Sequence, residues 1–222
     1  IRDSYGVEAL NANTTASNNT AIGFRSLLAN TTGAQNTAVG KGAMQANTTG
    51  HSNVAVGQAA LDANDEGFNN TAVGEDALGA NTTADYNTAV GRLALATVTT
   101  QGQLTALGAS ALTANTTGAY GTAVGYNALA ANTTGTRNAA LGKSALAANT
   151  TGDKNCAFGE GALLVNTTAD DNTAMGCGAL DANTTASDNV AIGYAALGAN
   201  TCLLYTSPSP RDRQKWPMPS YA

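Results

Sequence analysis

Few of the side chains that can carry a proton, a metal or a leaving group sit close together in this chain. It has one histidine, His51, and three cysteines, Cys156, Cys177 and Cys202. A structural zinc needs four such ligands in paired, closely spaced sets, and no Cys-x-x-Cys pair occurs. His51 occupies a position that varies freely along the chain, so it reads as a solvent-facing residue and not as a general base. The carboxylates Asp62, Asp65, Glu66, Glu75, Asp76, Asp170 and Asp171 fall at corner positions where oxygen ligands for calcium are conceivable. The Gly-Gly-x-Gly-x-Asp repeat of calcium-binding rolls is absent. No catalytic, cofactor-binding or metal-ligating residue is assigned, and the chain reads as non-enzymatic, with no cofactor.

Asparagine, threonine, alanine and glycine recur instead, in strict spacing. The phrase Asn36-Thr37-Ala38-Val39-Gly40 returns at Asn70–Gly74 and Asn87–Gly91, and as Asn189-Val190-Ala191-Ile192-Gly193. Its closing glycine falls every 17 residues from Gly6 and Gly23 through Gly40 and onward to Gly193, without insertion or deletion. With that glycine as position 0, position −1 is always apolar from Ile22 to Ile192, and −2 is always Ala from Ala21 to Ala191. Position +3 is Ala except for Ser26, +4 is Leu except for Met44, and +7 is Asn except for Val98. Thr-Thr and a Gly or Ala usually follow.

A fixed period of this length marks a stack of identical units, none of which can bury a core alone. Thr and Val favour the pleated backbone, and the glycine lets the chain turn where a Cβ would clash. Each unit therefore predicts a strand, a glycine corner, a short helical turn or second strand around Ala-Leu, and an Asn-Thr-Thr-Gly corner. The fold expected is an all-β repeat protein, a parallel β-solenoid or β-roll of 17-residue coils. Twelve coils at parallel-strand spacing make a rod of roughly 55 Å. The Asn side chains at +7 are expected to stack as an amide ladder. Because neighbours in a strand face opposite ways, one of −2 and −1 faces inward. The larger residue, such as Val39, is expected to fill the coil, leaving Ala38 and its column as a smooth outer stripe.

Composition agrees with a packed but unusual core: 43% hydrophobic, mostly small, with 5% aromatic and 11% charged residues. The net charge of −5 argues against a nucleic-acid partner, which needs a basic footprint. No apolar run is long enough for a membrane span. Residues 1–4 and 202–222 lie outside the repeat, which covers residues 5–201 in about twelve units. The tail after Thr201 holds all four prolines and Trp216, and is expected to be disordered. It also resembles a translated sequencing-adaptor read-through, with Ile1-Arg2-Asp3-Ser4 as its counterpart, so both ends read as artefacts on a fragment of a longer protein.

The Asn-Val-Ala-Ile-Gly phrase at 189–193 and its Thr-Ala-Val-Gly variants are similar to the head repeats of YadA-like trimeric autotransporter adhesins, over about residues 5–201. Related strings occur in phage tail-fibre shafts. The resemblance implies a left-handed parallel β-roll, three chains around one axis, displayed at a cell surface or on a virion fibre and used for attachment to a host or matrix ligand. The coil here is three residues longer than the family's usual one, the extra length lying in the Ala-Leu-x-Ala-Asn segment.

Cys156 and Cys177 occupy different columns and are not expected to form a disulfide. Nine Asn-Thr-Thr triplets, beginning at Asn13, Asn30, Asn47, Asn81, Asn115, Asn132, Asn149, Asn166 and Asn183, match the N-glycosylation pattern. Their period is better explained by the corner, since glycans on successive coils would crowd at about 4.8 Å. Surface adhesion or a fibre shaft is the function expected. The alternative is an ice-binding solenoid using threonine ladders, against which the −3 column is interrupted by Val54, Ala139, Cys156 and Val190.

Overall fold

In the computed structural model, residues 2–199 are described, with side chains from Tyr5 onward. Twelve short strands, from β1 (Arg2–Tyr5) to β12 (Val190–Ile192), form one sheet in chain order, each pairing in parallel with the next. The register is the sequence period itself: Thr37, Ala38 and Val39 pair with Val54, Ala55 and Val56. The solenoid and its 17-residue coil are therefore as expected. The backbone of Arg2–Tyr5 continues the sheet by pairing with Asn19–Ile22, so the loss of repeat there is one of residue type. Residues 202–222 lie outside the described residues.

Two expectations are corrected. The first concerns which way the strand faces. Ala38 is 0% exposed and its column is buried throughout, whereas −1 residues such as Ile22 (45%) and Leu141 (49%) face outward. The reason is volume. The coil interior opposite the strand is already filled by the +4 side chains, since Leu27, Met44, Leu61 and Leu78 are fully buried. Only a methyl fits between them and the sheet, so the strand turns its alanine inward and Val39 outward.

The second correction concerns the Ala-Leu segment, which forms no helical turn. Position +4 has positive φ in every described coil, from 51° at Leu10 to 52° at Leu197, and so does +2, as at Arg25 (57°) and Asp76 (54°). Alternation of left- and right-handed residues keeps a helix from forming, leaving i→i−3 bonds only at every second residue, such as Ala43 N to Gly40 O at 3.4 Å and Asn47 N to Met44 O at 3.3 Å. It also lets the adjacent Ala43 and Met44 both point inward, which a strand forbids. A left-handed residue costs roughly 1–2 kcal/mol. Burying a Leu stabilises by about 1.5–3 kcal/mol, and its amide also gains a bond to the next coil, Leu27 N to Ala43 O at 3.0 Å.

Glycine at position 0 is needed for contact between coils. Gly74 has φ 133°, and a Cβ there would meet the Gly91 carbonyl carbon at 2.6 Å. Stacked glycines thus bring backbone onto backbone at one edge of the rod.

Two columns of buried asparagine hold the other edge. At +7, Asn47 Nδ2 donates to Asn30 Oδ1 (2.8 Å) in the preceding coil and to Gly50 O (3.0 Å) in its own. At −4, Asn36 Oδ1 accepts from Asn53 N (3.0 Å), and Asn36 Nδ2 donates to the same Gly50 carbonyl (2.8 Å). The amide ladder expected at +7 is present, and a second runs beside it. Most of these buried amides are satisfied partly by their own coil and partly by a neighbouring one, which is what makes their burial tolerable; Asn81 Oδ1 is an exception.

Candidate functional site

The strand face is the most extensive regular surface on the rod. Outward residues at −3 and −1 flank the buried alanine, giving the out-in-out pattern of Thr71–Val73 and Val54–Val56. The −1 column is apolar in every coil, from Tyr5 and Ile22 to Met175 and Ile192. Its members shield one another above and below, so Val56 (36%) and Met175 (39%) keep only their outer sides in water. Eleven strand spacings give this stripe a length of about 50 Å. Beside it runs the −3 column, where Thr20, Thr37, Thr71, Thr88, Thr105, Thr122 and Thr173 alternate with Val54, Ala139, Cys156 and Val190.

The outward stripe lies at −1 and not at −2, and one signal in the sequence points to it. The −2 residue never varies, while −1 ranges over Val, Ile, Leu, Phe and Met. A packed interior holds its volume constant, and a surface tolerates change.

The corner threonines divide by role. At +8 the hydroxyl is engaged, as in Thr31 Oγ1 to Thr48 O (3.1 Å) and Thr133 Oγ1 to Thr150 O (3.0 Å). At +9 the side chains, such as Thr83 and Thr134, are exposed.

The residues able to do chemistry are not gathered. His51 lies on an exposed corner, its ring stacked on Phe68 at 4.9 Å and its Nδ1 3.3 Å from Ser52 Oγ. Asp65 accepts a hydrogen bond from the Thr48 hydroxyl, while Glu66 is exposed. Asp170 accepts from Asp153 N at 2.7 Å, and Asp171 pairs with Lys154 at 3.8 Å. Partial burial, reinforced by the charge of Asp76, pushes the Asp62 carboxyl above the ordinary carboxylate range. Among the described residues, no three acidic, histidine or cysteine side chains converge as a metal would require. Cys156 and Cys177 are free, and burial pushes the Cys156 thiol up. Cys202 lies outside the described residues.

The nine asparagines of the Asn-Thr-Thr triplets, Asn13 through Asn183, are all buried. Their side-chain amides are donors within the ladder, as in Asn149 Nδ2 to Asn132 Oδ1 at 2.9 Å. A glycan on that nitrogen would require the coil to open.

No family model, no curated protein and no solved structure matches this chain. Among the described residues, no helix is long and apolar enough to cross a membrane.

Proposed function

We propose that this chain is an attachment or shaft module of a surface fibre, in which three copies pack along their strand faces around a common axis. The observation that carries this reading is the unbroken outward column at −1, apolar in every coil along a rod that is otherwise polar at its corners. Solvent alone gives no reason for Leu107, Leu141 and Ile192 to stay apolar outside. A straight stripe on a rigid rod matches a second copy of itself, and burying it would stabilise by roughly 25 cal/mol per Å². The resemblance of the Asn-Val-Ala-Ile-Gly phrase to adhesin head repeats fits the same reading, which places the module at a cell surface or on a virion fibre.

The test is the mass in solution. The chain of 22.0 kDa is expected to sediment as a trimer, and V73D/V90D as a monomer with an unchanged far-ultraviolet circular dichroism spectrum. A wild-type monomer at micromolar concentration would overturn the reading.

A second reading has its own support. The −3 threonines stand at strand spacing beside the apolar stripe, on the sheet's outer face, an arrangement of hydroxyls and methyl groups that could order water as ice does. Thermal hysteresis in the monomeric variant would favour it, and its absence would leave the fibre module alone.

A further inference from the structure

The repeat departs from its own rules in one coil. Val98 replaces the +7 asparagine, Gln101 the small residue at +10, and Leu104 the −4 asparagine, and Gly121 follows at −4 of the next coil. The corner loosens there. Among the described residues, the bond from one +8 amide to the next +8 carbonyl runs from Thr82 to Thr99 (3.0 Å) and resumes from Thr116 to Thr133 (3.0 Å), but does not join Thr99 to Thr116. Instead, the Thr97 hydroxyl bridges to Thr113 O (2.8 Å) and Asn115 O (2.9 Å).

A cleft of about 330 Å³ opens at this corner, across three coils. Its ends are Tyr86 and Tyr120, which share the −5 column two coils apart and are 55% and 57% exposed. Phe68, one coil before Tyr86, meets it edge-on at 5.4 Å. Arg137, one coil after Tyr120, lies over its ring at 5.7 Å. Both tyrosines are thus held from the sides away from the gap. Between them in the same column stands Gln103, exposed and flexible; Gly102 beside it carries no side chain, and a Cβ there would run into the Asp85 carbonyl. The floor is neutral and rich in hydrogen-bonding groups: Thr83, Thr100, Gln101 and Gln103. Asp85 adds one carboxylate, anchored by Phe68 N at 2.8 Å.

We infer that this cleft binds a neutral sugar ring. Two coils separate the tyrosines by about 9.6 Å. A six-membered ring stacked on an aromatic face needs about 4.5–5 Å on each side, so one ring fits that gap when the exposed Gln103 side chain swings toward the floor and donates its amide to the ligand. The floor amides and hydroxyls match sugar hydroxyls, and the carboxylate repels acidic sugars. The site names a ligand class for the attachment reading and rests on that reading for its purpose, but it is built from one chain.

Saturation-transfer NMR on the full chain, with methyl pyranosides of glucose, galactose, mannose and N-acetylglucosamine, tests it. At least one is expected to bind, and the affinity is expected to fall tenfold or more in Y86A and in Y120A. Q103Y is expected to abolish binding by filling the gap. Gln103 has φ 64°, close to Tyr86 (60°) and Tyr120 (58°), so a tyrosine fits its backbone. Running the same titration on V73D/V90D separates this proposal from assembly, since binding should survive there. No sugar binding, binding indifferent to all three variants, or binding of tetramethylammonium alone would overturn it.

Discussion

At the scale of single residues, the strand's inner and outer positions carry opposite tolerances. Ala72 is fully buried beneath the sheet, and Leu78 of its own coil is fully buried in the same core. Ala72→Leu has no room, and overpacking of this kind costs about 1–3 kcal/mol. The outward neighbour Val73 should accept Val73→Leu within about 0.5 kcal/mol. Denaturant midpoints of the two variants check this pair, and equal costs would contradict the orientation of the strand. Asp62 gives a separate residue-scale prediction. Its carboxyl is held above the ordinary range, so the folded chain keeps that proton to higher pH than the unfolded chain does. This group's contribution therefore favours the fold at low pH and is lost as pH rises from the usual carboxylate value through the folded one. Asp62→Asn should raise the thermal midpoint at neutral pH. The gain should be small, because the group is half-exposed, and should vanish in acid, as read by paired melts at pH 3 and pH 7.

The element that matters next is the coil corner and its two amide ladders. Val98 interrupts the +7 ladder, and Asn81 Oδ1, which would accept from an asparagine there, is buried without a partner. An unsatisfied buried acceptor costs about 1–3 kcal/mol, while burying Val98 stabilises by a similar amount. Val98→Asn alone is therefore expected to be nearly neutral. The −4 ladder makes a sharper test. Leu104 N still accepts the ladder's geometry by donating to Asn87 Oδ1 at 3.0 Å, but the Leu side chain offers nothing onward. A Cβ at Gly121 would touch Leu104 Cδ2 at 3.4 Å, so anything longer than alanine runs into it. Gly121→Asn should destabilise the wild-type chain and be tolerated with Leu104→Asn. A double-mutant cycle should give a coupling of about 0.5–3 kcal/mol; simple additivity would show that the two positions do not share space.

For the whole molecule, stability is a sum over stacked coils and their interfaces. Every coil repeats the same contacts, so the outer stripe is repeated too, and any association along it multiplies with length. If copies bind one another folded and not unfolded, the thermal midpoint rises with concentration. A concentration a hundredfold above the dissociation constant adds about 2.7 kcal/mol, or roughly 5–10 °C for a chain of this size. V73D/V90D should melt at one temperature regardless of concentration. Calorimetry across a hundredfold dilution checks both.

The architecture was legible in the repeat alone: the glycine period sets one coil at 17 residues, and the β-forming Thr-Ala-Val phrase places its strand. The repeat also pointed to the ladder at +7, because an asparagine repeated in register must meet its own copy. Which way Ala38 and Val39 face was not legible there. Alternation says that they differ, but the choice depends on what lies across the coil, and that is Leu or Met at +4, which reaches the interior only through a left-handed backbone. Left-handed Leu is uncommon enough that local propensity argues for a helical turn instead. The cleft was beyond local reading for the same reason. Its lining residues Tyr86, Gln101 and Tyr120 stand up to 34 positions apart, and meet at one corner only when successive coils stack.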